Sequence, residues 1–377
     1  MKVPFLDLKA QYKTIKDEVN PAIQDILDNT AYILGKSVSQ FEKEFAKAHH
    51  VKYCVGTSSG TDANHLVLWS LGIEPGDEVI IPANTFIATA WGATLCGAKP
   101  VFVDCHTESY NIDPEKVEAA ITKKTKAIVA VHLYGQAADM EALNSIANKH
   151  KLILVEDAAQ AHLAEYKGKK IGGLSKATSF SFYPGKNLGA YGEAGAVVTN
   201  DEQLAKKVIQ LREHGQSEKY YHESLGHNYR MEGIQGAVLG VKLKHLKKWT
   251  DGRRNVALKY KGLLGDLEQI SLPVELPDHK HVYHLYVIRV AGENIELRED
   301  MRNKLQSFLS ENEIASGLHY PVPLHLQKCF NNLNYKKGDF PVTEDLARSG
   351  LSLPIFPELT DEQIEYVSSR IKEFFQK

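Results

Sequence analysis

The run LILVED leaves the least choice of fold. Leu152, Ile153, Leu154 and Val155 are consecutive and apolar, without the alternation of a strand wetted on one face. They predict a strand buried on both faces of its sheet. Similar runs recur at VIIP (79–82) and AIVAV (127–131), and helical patterns stand between them. Strands alternating with helices in this way predict a mostly parallel sheet covered by helices. Asp157 closes the LILVED strand, and open α/β sheets gather ligand-binding groups at the C-terminal ends of their strands.

A buried, uncompensated carboxylate costs roughly several kcal/mol, so donors or a cation are expected opposite Asp157. Lys186 ends the stretch SFYPGK, 29 positions further on. One reading is an ion pair, or an aspartate capping the next helix. The other is a pyridoxal phosphate (PLP) site, in which Lys186 forms a Schiff base and Asp157 keeps the pyridine nitrogen protonated. The second reading needs a phosphate cradle, an aromatic ring cover and a group for the ring hydroxyl. GTSSGT leaves Thr61 and Asp62 at a helix start, either as an anion seat or as an N-capped turn. Phe86, just beyond VIIP, either packs in the core or stacks on a planar ring. Gln160 lies three residues after Asp157, and Gly189, Gly192 and Gly195 permit close backbone approach around the lysine.

Totals exclude other classes. At 377 residues with 43% hydrophobic and 24% charged composition, the chain has ample material for two domains. The expected boundary lies in a long helix, giving a large α/β domain with an N-terminal arm over 1–245 and a smaller α+β domain over 246–377. A net charge of −2 gives no drive toward nucleic acid or acidic membrane. Four cysteines without a CxxC pair fit reduced thiols, and no metal site is expected. Pro4 and Asp7 interrupt the apolar run a signal peptide needs, so a cytoplasmic protein is expected. Pro21 is expected to interrupt or restart the first helix.

Nine stretches, in order, carry a resemblance: FLDLKAQY, ILGKSVSQFEKEFA, SSGTDAN, GDEVIIPANTFIATA, GAKPVFVD, VHLYGQAADM, EDAAQAH, SFSFYPGKNLGA and GHNYRM. Across essentially its whole length the chain resembles the sugar aminotransferases of the DegT/DnrJ/EryC1/StrS group, within the aspartate-aminotransferase-like, fold type I PLP enzymes. The resemblance implies that Lys186 binds the cofactor and shuttles the proton, and that Asp157 pairs with the pyridinium. It implies Gln160 on the ring hydroxyl and Phe86 over the ring face. Gly60, Thr61 and Ser181 would hold the phosphate, joined by Asn228 from a second subunit of a homodimer. Tyr183, Tyr320, His325 and Arg230 would face the sugar or its nucleotide. The cofactor would alternate between PLP and pyridoxamine phosphate.

The usual AHGA after the glutamine reads Ala161-His162-Leu163-Ala164, and the acidic-glycine pair ahead of the Gly-Ala-Val strand reads Glu193-Ala194. HGQSEKYYHESLGHNYRM and HVYHLYVIRV are most similar to enzymes acting at C3 of dTDP-3-keto-6-deoxyhexoses, with L-glutamate as donor. The expected setting is deoxyamino-sugar biosynthesis, for lipopolysaccharide, S-layer glycan or antibiotic. A C4 aminotransferase of a dTDP- or UDP-4-keto sugar is the competing substrate reading, and a non-catalytic regulatory protein on the PLP fold the competing class. Lys186 argues against the relatives in which histidine replaces the lysine. The absence of GxGxxG after the first strand disfavours a nicotinamide enzyme.

Overall fold

The computed structural model describes residues 1–376. Strands β1 (Tyr53–Thr57), β2 (Glu78–Pro82), β3 (Lys99–Val103), β4 (Thr125–Val131), β5 (Ile153–Asp157), β6 (Thr178–Ser181) and β7 (Gly195–Thr199) form one sheet. Its spatial order is β1-β7-β6-β5-β4-β2-β3. From β3 across to β6 the neighbours pair in parallel. β7 runs against both of its neighbours, which turns β1 back into line with the rest. The C-terminal ends of β2, β4, β5 and β6 therefore open on one edge together with the end of β1.

The doubly apolar strands have the two covers they require. Ile80, Ile128, Leu154, Phe180 and Val198 point to one side, against Phe41 and Phe45 of the helix Gly35–Ala48 and Leu143 of the helix Met140–His150. Val79, Ile81, Val129, Val155 and Val197 point to the other, against Leu66 of the helix Gly60–Ser70 and Val208 of the helix Glu202–Arg212. Each fully buried side chain of this size contributes about 1.5–3 kcal/mol, so the sheet is the rigid platform of the molecule.

The first helix departs from expectation. It runs unbroken over Leu8–Asp28 with Pro21 inside. Ile15 and Val19 before the proline, and Ala22 and Ile23 after it, pack on Val238, Val241 and Trp249. Burial on both sides of Pro21 outweighs the lost hydrogen bond.

The long helix expected through residue 245 is two helices, Gly233–Leu243 and Leu246–Leu264, with the break at Lys244 and His245. Beyond it β8 (Ile270–Ser271), β9 (Tyr286–Val290) and β10 (Gly350–Leu353) make an antiparallel sheet. Tyr260, Ile288, Leu305, Leu351 and Val367 form its core, and Val3 of the N-terminal arm belongs to the same cluster. The terminal helix begins with a reciprocal cap: Thr360 Oγ1 accepts from Gln363 N at 3.2 Å and Gln363 Oε1 from Thr360 N at 3.1 Å. Leu285, Leu324 and Leu346 reach back into the core beside the large sheet, which brings the C-terminal loops to its ligand edge.

Candidate active site

Period-two alternation at the end of β5 sends Glu156 and Asp157 to opposite sides. Glu156 faces a closed polar knot, accepting from Ser175 and Thr178 hydroxyls at 2.9 Å each and pairing with His132 Nε2 at 3.0 Å. His132 Nδ1 accepts from Ala138 N, so Nε2 carries the proton given to Glu156. Asp157, 3% exposed, faces the ligand edge. Its Oδ2 accepts from Thr89 Oγ1 at 2.7 Å and Asn64 Nδ2 at 3.0 Å, and its Oδ1 from Ala159 N at 3.1 Å. Ser179 donates to Asn64 Oδ1 at 2.6 Å, which orients the amide so that its NH₂ points at the carboxylate. Asp157 is thus held by neutral donors. Among the described residues it makes no ion pair within 4.0 Å, so the simple Asp157–Lys186 bridge does not form.

Lys186 sits on a tight loop. Phe182 N donates to Ala194 O and Ala190 N to Phe182 O, both at 2.7 Å, while Lys186 N donates to Tyr183 O at 2.8 Å. Gly189 is required there, since a Cβ would lie 2.3 Å from Pro184 O. Burial pulls the Lys186 amine down to about 8, with the attraction of Asp157 opposing. Burial, aided by the lysine charge, likewise holds His284 well below the usual histidine range and His319 at about 4. His284 is fixed by Asn187, whose Oδ1 lies 3.2 Å from its Nδ1.

The anion seat is built at the next strand end. Ser59 caps the helix Gly60–Ser70 by accepting from Asp62 N at 3.1 Å. The hydroxyls of Ser58 and Ser59 donate to Asp62 Oδ2 at 2.6 and 2.8 Å, turning that carboxylate aside. Gly60 and Thr61 are the first two helical residues, and their amides precede any intrahelical acceptor. A Cβ on Gly60 would stand 2.5 Å from Ser181 Cβ, so this glycine lets the helix start and Ser181 converge.

Gln160 accepts from Tyr134 N at 2.6 Å and donates from Nε2 to the Tyr320 hydroxyl at 3.0 Å. Phe86, at the N-cap of the helix Ile87–Leu95, is 53% exposed, which rules out the core-packing alternative. Its ring centroid is 5.7 Å from that of Tyr320. Tyr183 is exposed at the mouth of the lysine loop. Arg230 donates from Nε to Asn228 Oδ1 at 3.0 Å on a segment bridged to Thr57, beside the anion seat. His325 requires correction: it is 2% exposed, pairs with Glu344 at 3.0 Å and packs edge-on to Phe340. An enclosed imidazole cannot meet a sugar.

Asn64, Thr89 and the Tyr134 amide are the functional groups missed by sequence reading. Asn64 lies within SSGTDAN and Thr89 within NTFIATA, which were the available signals. A carboxylate with fixed donors, an amine with lowered affinity for protons, open helix amides and a free aromatic face together fit PLP. No cluster of three or more His, Cys, Asp or Glu side chains among the described residues could hold a metal. No described helix is long and apolar enough to cross a membrane.

Residues 13–372 match the DegT/DnrJ/EryC1/StrS aminotransferase family. A "pleiotropic regulatory protein" of Geobacillus stearothermophilus is 47% identical over 100% of this chain and 99% of its own length. The dTDP-3-amino-3,4,6-trideoxy-alpha-D-glucose transaminase of Streptomyces venezuelae is 44% identical over 100% of this chain and 97% of its own. The crystal structure of S. venezuelae DesV in complex with a ketimine intermediate superposes with a TM-score of 0.96 at 44% identity, covering 100% of this chain and 99% of that one. Fold, site and family profile agree over nearly the full length, and the chain belongs to the DegT/DnrJ/EryC1/StrS aminotransferase family.

Proposed function

We propose that this protein is a PLP-dependent transaminase that moves the amino group of L-glutamate to C3 of a dTDP-linked 3-keto-6-deoxyhexose, in deoxyamino-sugar biosynthesis. The observation that carries the chemistry is the pairing of functions at one sheet edge: a carboxylate fixed by Thr89 and Asn64, and a lysine amine lowered to about 8. When bound, PLP supplies an electron-withdrawing ring that acidifies the C–H beside the transferred nitrogen.

The chain's own groups do the rest. Asp157, fixed by its donors, would face the ring nitrogen and favour its protonated form. Lys186 Nζ moves the proton at the amine-bearing carbon, and an affinity near neutrality suits both taking and returning it. The Gly60 and Thr61 amides and the Ser181 hydroxyl hold the phosphate, each charge-assisted bond contributing about 1.5–3 kcal/mol. Gln160 Nε2 keeps a second proton for the ring hydroxyl oxygen, and Phe86 covers a ring face and excludes water. Tyr183, Tyr320 and Arg230 line the approach of the sugar nucleotide.

A second copy of the chain completes the site in this reading. Asn228 is exposed, and the stretch before it bears Tyr220 at 79% and Leu225 at 84% exposure, apolar surface that a partner would cover. The C3 choice is supported by the 44% identical dTDP-3-amino-sugar enzyme. The regulatory reading is favoured by the names of two relatives, the 47% identical "pleiotropic regulatory protein" and the 44% identical "erythromycin biosynthesis sensory transduction protein EryC1".

Amine transfer from glutamate to paired 3-keto and 4-keto dTDP-sugars separates these readings. Turnover of the 3-keto compound is expected. Turnover of the 4-keto compound alone overturns the position, and turnover of neither by a PLP-loaded protein favours regulation.

A further inference from the structure

Lys242 is 1% exposed, yet its ammonium closes no ion pair among the described residues. Glu358 attracts it only from a distance, and burial pulls its amine down to about 8. A methionine of the same length would fill the slot without the cost of desolvating a charge. The amine's contribution must lie in what it holds. Nζ donates to the Gly189 carbonyl at 2.6 Å and lies 5.1 Å from the Tyr191 ring and 6.0 Å from that of Trp249.

Gly189 is the return point of the loop that carries Lys186. It packs against Pro184 so closely that no side chain fits, and Ala190 N closes the loop base on Phe182 O. Gln235, two turns earlier on the same helix face, accepts from Tyr191 N at 3.0 Å. The helix Gly233–Leu243 therefore grips two backbone groups of the loop's return, one on either side of Ala190, and it is itself seated on the first helix through Val238 and Val241.

We propose that Lys242 is a positioning residue: it holds the Gly189 carbonyl and, through the Gly189–Pro184 contact, sets where the Lys186 amine stands. This rests on the reading of Lys186 as the reacting amine, and the first two measurements below use cofactor-free protein.

Lys242→Met is compared with wild type by amide exchange, by the pH dependence of Lys186 reductive methylation, and by steady-state turnover. Exchange at Lys186 and Ala190 should quicken about tenfold or more, with β7 unchanged. The methylation midpoint should rise from about 8 toward the ordinary lysine value as water enters. In the loaded enzyme kcat should fall about tenfold to hundredfold with KM for glutamate little changed, the range set by losing a charge-assisted hydrogen bond. Lys242→Arg, which keeps a donor and the aromatic contacts, should recover most of each change. Wild-type exchange and midpoint in a folded Lys242→Met protein would overturn the proposal. Should that variant not fold, Gln235→Leu must give the same local signature, and wild-type behaviour there overturns it equally. Failure of wild type to transaminate would refute the functional reading while exchange still decides the clamp.

Discussion

Thr89 and Asn64 hold the Asp157 carboxylate at 2.7 and 3.0 Å, and these neutral donors satisfy its buried oxygens at the end of β5. Thr89→Val keeps the shape and removes one donor. We expect a loss of about 1–3 kcal/mol in urea unfolding of the cofactor-free protein, and unchanged stability would show that the bond contributes nothing. Lys186→Ala removes the proton carrier, and turnover should fall at least about a thousandfold with the circular dichroism spectrum unchanged. Asp157 and Lys186 were legible because a strand-end carboxylate and a glycine-flanked lysine are local patterns. Asn64 and Thr89 were not, since they meet Asp157 across 93 and 68 positions of chain. His325 was misread for the same reason: its partner Glu344 and neighbour Phe340 come from the following helix region, and exposure of a loop residue is a tertiary property.

Among elements, the start of the helix Gly60–Ser70 is the most constrained. Gly60→Ala would drive a methyl to 2.5 Å from Ser181 Cβ, separating the helix amides from the Ser181 hydroxyl in the proposed phosphate cradle. Fluorescence titration should find PLP affinity reduced about tenfold or more, the equivalent of one charge-assisted bond, and wild-type affinity would remove this cradle from the account. The buried strands were readable from runs of apolar residues because both faces of the sheet are covered. Continuity of the first helix was not, because local preference places a break at Pro21, and only the distant Val238, Val241 and Trp249 override it. Pro21→Ala should therefore raise the unfolding free energy by about 1–3 kcal/mol, measured in urea.

Over the whole molecule, burial keeps several histidines neutral. His49, His65 and His319 are pulled to about 4 and His281 to about 3. Each binds its proton more weakly folded than unfolded, where the value is about 6.5. Their contribution to stability is full above about pH 6.5 and is lost as pH falls through 4. The melting temperature of cofactor-free protein should drop progressively from pH 6.5 to 4, and a flat profile across that window would contradict these burials. The central claim is that the reactive amine at this sheet edge is Lys186. Borohydride reduction after incubation with PLP, followed by peptide mass mapping, tests it most directly. The account predicts one stoichiometric adduct, on the peptide containing Lys186; no adduct, or adducts scattered over surface lysines with Lys186 unmodified, would contradict it.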